Sequence, residues 1–225
     1  MIPQDAVEEI AEHWDNGTKK SAFYYLDGEK IGYRYWDEDE RLFMEYDIKG
    51  NLQHGSFRTW HENGVLCEES FYVEGKEHGV TKQYDYEGNL IGTYQMNYGT
   101  GVDLWYCNAG ILSEERYCKN GERDGYERWW TDDNETIYSE QNFKDGIEHG
   151  IFRKWNQHGR LHRGFPQYFV KGQKVTKRQY LKACEQDESL PKYVAAEDDP
   201  HRLLPRHLMH NASRNEESDV FDQLR

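Results

Sequence analysis

Glycine keeps a schedule along this chain. It stands at Gly32, Gly55, Gly79, Gly101, Gly125 and Gly150, with Val175 as a degenerate seventh marker, at intervals of 23, 24, 22, 24, 25 and 25 residues. A fixed period of a few tens of residues signals an array of like units, each too small to bury a face alone. The surroundings repeat as well. Five residues after the marker comes a ring, Trp60, Tyr84, Tyr106, Trp130, Trp155 or Tyr180, and the first unit offers Trp36 one position early. Nine residues after it comes Gly64, Gly88, Gly110, Asn134 or Gly159; four residues before it comes Gly28, Gly75, Asn97, Gly121 or Gly146. Asparagine replaces glycine at two of these places because, after glycine, it most readily accepts a left-handed backbone. The positions require a positive φ.

Each unit of about 24 residues therefore has two tight turns separated by runs rich in Tyr, Trp, Phe, Val and Thr, which suit strands. The unit is a β-hairpin. The expected fold is mainly β: an elongated antiparallel β-hairpin repeat sheet over residues 17–175, about seven units, with short capping helices at both ends. Fourteen strands at ~4.8 Å each would extend roughly 65 Å before twist. The 15% aromatic content against 36% hydrophobic residues means that rings do the burying.

Within the unit, Arg58, Lys82, Arg128 and Arg153 fall three residues after the marker. Glu45, Glu69, Glu115 and Glu140 fall three residues after the Leu or Ile that leads the second run, with Thr93 as the exception. These predict a ladder of cross-strand ion pairs. Val7, Ile10, Ala11 and Trp14 sit at helical spacing, so residues 1–16 read as an amphipathic helix over the first sheet edge. Thr176 and Gln179 form a capping box, and Val175 with Tyr180 a hydrophobic staple, placing a closing helix within 176–190. Residues 191–225 are acidic and broken by Pro200 and Pro205; the expectation is a largely disordered tail, apart from a turn of helix near Leu203–Met209.

The pieces NLQHGSFRTWHENGVL, GKEHGVTKQYDYEGNL, NGERDGYERWW and DGIEHGIFRKWNQHGRL resemble the MORN-repeat-variant family over roughly residues 20–180. The nearest flavour is the bacterial branch of YwqK-type antitoxins, and KVTKRQYLKACEQDESLPKY looks like the helix that follows the repeats there. The resemblance implies a cytoplasmic immunity protein that neutralises a toxin by occlusion. A structural or adaptor scaffold for partners unrelated to toxins is the alternative, since repeat scaffolds host many jobs.

Signs of chemistry are few. No nucleophile elbow, zincin helix, phosphate loop or dinucleotide fingerprint occurs. No catalytic residue, metal or cofactor is expected. Cys67, Cys107, Cys118 and Cys184 form no CxxC pair and read as free thiols. His54, His78 and His149 each precede a marker, about 10 Å from their equivalents in a neighbouring unit, too far to share an ion. They read as turn residues, as does the stretch Asp132, Asp133, Asn134. The net charge of −14 disfavours nucleic acid and anionic membrane and suits a basic protein partner such as a toxin domain. The first residues have the wrong charge for a signal peptide, and no apolar run approaches a membrane span, so a soluble cytoplasmic chain is expected.

Side chains alternate faces along a strand. If Trp60, Tyr84, Tyr106, Trp130 and Trp155 are core rings, the residue before each faces away, where Trp105 and Trp129, together with Trp36, become candidate partner-binding residues. The competing reading is that the coiled sheet or the tail covers them. No oligomeric state follows from the sequence.

Overall fold

Hairpin after hairpin, the chain builds one antiparallel sheet of seventeen strands, in a computed structural model that describes residues 2–204. The strands are β1 (Val7–His13), β2 (Lys19–Leu26), β3 (Glu29–Trp36), β4 (Leu42–Lys49), β5 (Leu52–Trp60), β6 (Leu66–Val73), β7 (Lys76–Glu77), β8 (Gly79–Tyr84) and β9 (Leu90–Asn97). They continue as β10 (Thr100–Tyr106), β11 (Leu112–Lys119), β12 (Glu122–Trp130), β13 (Ile137–Lys144), β14 (Ile147–Glu148), β15 (Gly150–Lys154), β16 (Gln167–Val170) and β17 (Gln173–Val175). Sequence neighbours pair throughout. At His78 and His149 the strand is interrupted, so β6 pairs in turn with β7 and β8, and β13 with β14 and β15.

Turns at one edge hold pairs of residues with positive φ, such as Asn120 (56°) with Gly121 (90°), the arrangement of two-residue hairpin turns. Successive turns also bond to one another: the Gly75 N–H donates to the Gln53 carbonyl, Gly99 to Glu77, Gly121 to Gly99, Gly146 to Arg123 and Gly172 to Glu148. One turn differs from expectation. Around Gly101 the left-handed pair is Tyr98–Gly99, not Asn97, because the connection to the marker is shorter there. Asn134, at the opposite edge, does carry the positive φ its position requires (54°).

Every hairpin has a bulge beside its ring. Tyr35 opposes Met44 but Trp36 opposes Leu42, leaving Phe43 extra. The same slip gives Trp60–Leu66, Tyr84–Leu90, Tyr106–Leu112 and Trp130–Ile137, and a bridge joins Trp155 to Leu161. A bulge sets two residues against one, so ring and leading aliphatic residue stay together on one side of the sheet. This overturns the expectation for Trp36. It is the core ring of the first unit, buried with Ala22 and Tyr24 against Ile2, Ala6, Ile31 and Leu42. The marker of that unit was misplaced by one residue. Gly32 has no positive φ; it is glycine because a Cβ there would meet Ile2 at 2.6 Å. Counting from Ile31 restores the pattern, with Arg34 three residues on and paired to Glu45 (2.7 Å).

The N-terminal helix is also replaced. Val7–His13 forms an edge strand, paired from Val7–Tyr25 to His13–Lys19. The free edge of β2 offers that segment a ladder of backbone hydrogen bonds, whereas an isolated helix of this length is marginal in water. All of β1 is exposed, and Glu8, Glu9 and Glu12 keep the open edge charged, which discourages pairing with another sheet.

At the other end, α1 (Lys177–Ala183) starts at Thr176 with both arms of its capping box formed. Its Tyr180 is fully buried with Ile151, Tyr168 and Leu190. Residues 191–204 then run back over the sheet rather than forming a free tail. Pro200 accepts from the Ile137 N–H, the Arg202 N–H donates to Glu135, and the Trp155 indole donates to the Asp198 carbonyl at 2.7 Å. Leu204 packs on the main core of Leu104, Tyr106, Leu112, Trp130, Ile137 and Trp155. The rest of the predicted disordered tail, 205–225, and most of the expected Leu203–Met209 turn lie outside the described residues.

Candidate binding face

The ion-pair ladder divides the sheet into two sides. Directly opposed residues run Arg34–Glu45–Arg58–Glu69–Lys82 in the first half and Glu115–Arg128–Glu140–Arg153 in the second. Arg58 reaches Glu69 at 2.7 Å, and Arg128 spans Glu115 (2.9 Å) and Glu140 (2.7 Å). The residues next to these in sequence project to the other side. That side carries three features.

First, Trp105 opposes Glu114, and Glu114 opposes Trp129. The two rings stay 40% and 37% exposed, while the carboxylate between them is buried, and burial pushes its pKa up. The bulge in the following hairpin leaves Tyr138 extra, and it turns out beside Trp129 with ring centroids 6.3 Å apart. Trp105 and Trp129 thus stand where alternation placed them, uncovered by residues 191–204.

Second, a row of half-buried rings crosses β2–β6. Phe23 meets Tyr33 (5.2 Å), Tyr33 stacks on Tyr46 (5.0 Å), Tyr46 on Phe57 (6.4 Å), and Phe57 meets Tyr72 (5.7 Å). This row was not among the residues expected to matter from the sequence. Its signal was available: Tyr33, Tyr46 and Phe57 are each next to a ladder residue, Arg34, Glu45 or Arg58.

Third, carboxylates crowd the middle. Burial raises Glu68 to about 7, helped by Glu77 and Asp103. Glu77 accepts from the Thr81 hydroxyl and is itself raised by burial. Asp103 accepts from Arg116 Nε at 2.6 Å, and the same guanidinium reaches Glu114 at 3.4 Å. Burial and these acids also push the Tyr72 and Tyr94 hydroxyls well above their ordinary range. Gly92 is closely covered: a Cβ there would meet the Tyr106 ring at 2.1 Å. Gln83, opposite Gly92, passes through to donate to the Leu104 carbonyl (2.9 Å) and accept from the Tyr106 N–H (3.1 Å).

The histidines serve the turns. His54, His78 and His149 accept through Nδ1 from the backbone N–H of Glu74, Tyr98 and Lys171, each in the following turn. At the opposite edge the His61 ring bonds the Tyr84 carbonyl and Asn63 the Tyr86 carbonyl. Asp133 accepts from the Thr131 and Thr136 hydroxyls and the N–H groups of Glu135 and Thr136, which hold its carboxyl far below the usual range. Among the described residues no three His, Cys, Asp or Glu side chains are grouped to hold a metal ion, and no helix is long and apolar enough to cross a membrane. No family model matches this chain, and no curated protein matches it.

Proposed function

We propose that this protein is a non-catalytic binding scaffold that grips a protein partner with the sheet side bearing Trp105, Trp129 and Tyr138. One observation carries the reading: two indoles, 40% and 37% exposed, on either side of a single buried glutamate. Large rings on a polar surface are the groups that most often dominate an interface. The acidic surface, with net charge −14, favours a basic partner through faster encounter. With the resemblance of the repeats to the MORN-repeat-variant family, these features support a cytoplasmic antitoxin or immunity protein that occludes a basic toxin domain.

Co-expression with toxin genes found beside its own gene tests the reading. Rescue of growth and a purified complex are expected. The double variant Trp105→Ala, Trp129→Ala should weaken that complex by at least 30-fold, about 2 kcal/mol, with an unchanged circular dichroism spectrum. No rescue and no complex with any neighbouring toxin overturns the immunity reading. Full affinity in the double variant overturns the choice of face.

A further inference from the structure

The crowded carboxylates at the centre of the same side lack an adequate counter-charge. Arg116 acts on both Glu68 and Glu77, and its guanidinium is already engaged by Asp103 and Glu114. Glu68 accepts one long hydrogen bond, from the Gln83 amide at 3.3 Å. Beside it, Ser70 is only 3% exposed, and its hydroxyl has no hydrogen-bond partner. Ser70 lies between Glu68 and Tyr72 on β6 and so projects to their side. A buried hydroxyl left unpaired costs free energy, and native chains rarely retain one.

We propose that Glu68, Glu77, Asp103 and the Ser70 hydroxyl receive a lysine or arginine side chain from a basic protein partner. The inference rests on reading this side of the sheet as a protein-binding surface and names the chemistry of what binds there. A metal ion is the wrong occupant, because these acids are not grouped as ligands around one centre. A guanidinium or ammonium on a long stem needs no such convergence. It takes separated acceptors, and a planar guanidinium also stacks on rings. The row from Phe23 to Tyr72 ends at this cluster and supplies apolar, π-rich surface for the stem and for neighbouring cations. Charge complementarity sets the partner's sign: three acids around one shared arginine, in a chain of net charge −14.

The test uses the full chain and a hexa-arginine peptide, titrated calorimetrically at about 0.15 M salt so that diffuse attraction is screened. Three variants are compared with wild type. Glu68→Gln with Glu77→Gln removes two carboxyl groups from the cluster; Glu9→Gln with Glu12→Gln removes two from the β1 edge; Ser70→Ala removes none. Glutamine keeps the shape and relieves like-charge repulsion, so the cluster variant should fold at least as well as wild type, as its thermal midpoint will show. The expected result is a tenfold or greater loss of affinity in the cluster variant, a smaller but clear loss in Ser70→Ala, and less than a twofold change in the edge variant. Equal losses in the cluster and edge variants, or wild-type affinity in both the cluster variant and Ser70→Ala, overturn the proposal. The probe is not a native partner, so failure here leaves the tryptophan experiment intact, and failure there leaves this one intact.

Discussion

Arg58 and Arg153 occupy the same place in the repeat, yet they live in different solvents. Arg58 and its partner Glu69 remain 22% and 33% exposed; Arg153 and Glu140 are 1% and 6% exposed. Around Arg153 the C-terminal segment adds Asp198 at 3.0 Å and Glu197 at 3.3 Å, and Arg202 joins Glu140 at 3.2 Å. The rings follow suit: Trp60 is half-buried, whereas Trp130 and Trp155 are buried. One repeat pattern yields a thin, open layer in the first half and a true core in the second. Much of the difference comes from residues 191–204, which fold back over β13 and β15 and lay Leu204 on the main core. A single twisted sheet has no second layer of its own, so its burial depends on what is laid across it.

Trp155→Ala should cost most. A buried ring lost from a packed site costs about 3–5 kcal/mol, and its bond to Asp198 goes too. Trp60→Ala should cost less than half of that. Urea midpoints at equal m-values measure both, and equal losses would break the comparison. Arg153→Met comes next, at about 3 kcal/mol, because Glu197 and Asp198 lose their cation while Glu140 keeps Arg128 and Arg202. Arg58→Met should change stability by less than about 1 kcal/mol.

A pH-dependent effect sharpens the boundary between the halves. Glu68 titrates near 7 in the fold against 4.5 ordinarily, burial being the main cause. The folded state therefore holds a proton that the unfolded chain has already lost, and stability falls as pH rises from about 4.5 to about 7. Glu68→Gln removes this dependence. It should be more stable than wild type by roughly 1–2 kcal/mol at pH 8, with the gain vanishing below about pH 4.5. A gain equal at both pH values would show that Glu68 is not the group responsible.

Much of this could be read from the residues themselves. The hairpins, the ladder and the closing helix rest on interactions between residues near in sequence or one period apart, and Thr176 with Gln179 forms the capping box within a single turn. The exposure of Trp105 and Trp129 follows from alternation once their neighbours are known to be core rings. The errors have a common origin. Gly32 looked like a marker because glycine answers two different needs, a positive φ and a close approach, and here the need was room for Ile2. Val7, Ile10, Ala11 and Trp14 fit a helix by spacing, but the spacing does not register the open edge of β2. The row of rings was hidden because its five members come from five different strands, and no single hairpin contains more than two of them.

By itself, then, the order of residues determined where the backbone turns and which side chains share a side, because turn preference and strand alternation act over a few neighbours. Tertiary structure alone decided which of those sides is dry. The burial of Arg153, the shelter of Trp155 and the crowding of Glu68 with Asp103 all arise where segments distant along the chain come together and exclude water. Desolvation belongs to the assembled contacts, so identical positions of one repeat acquired different energies.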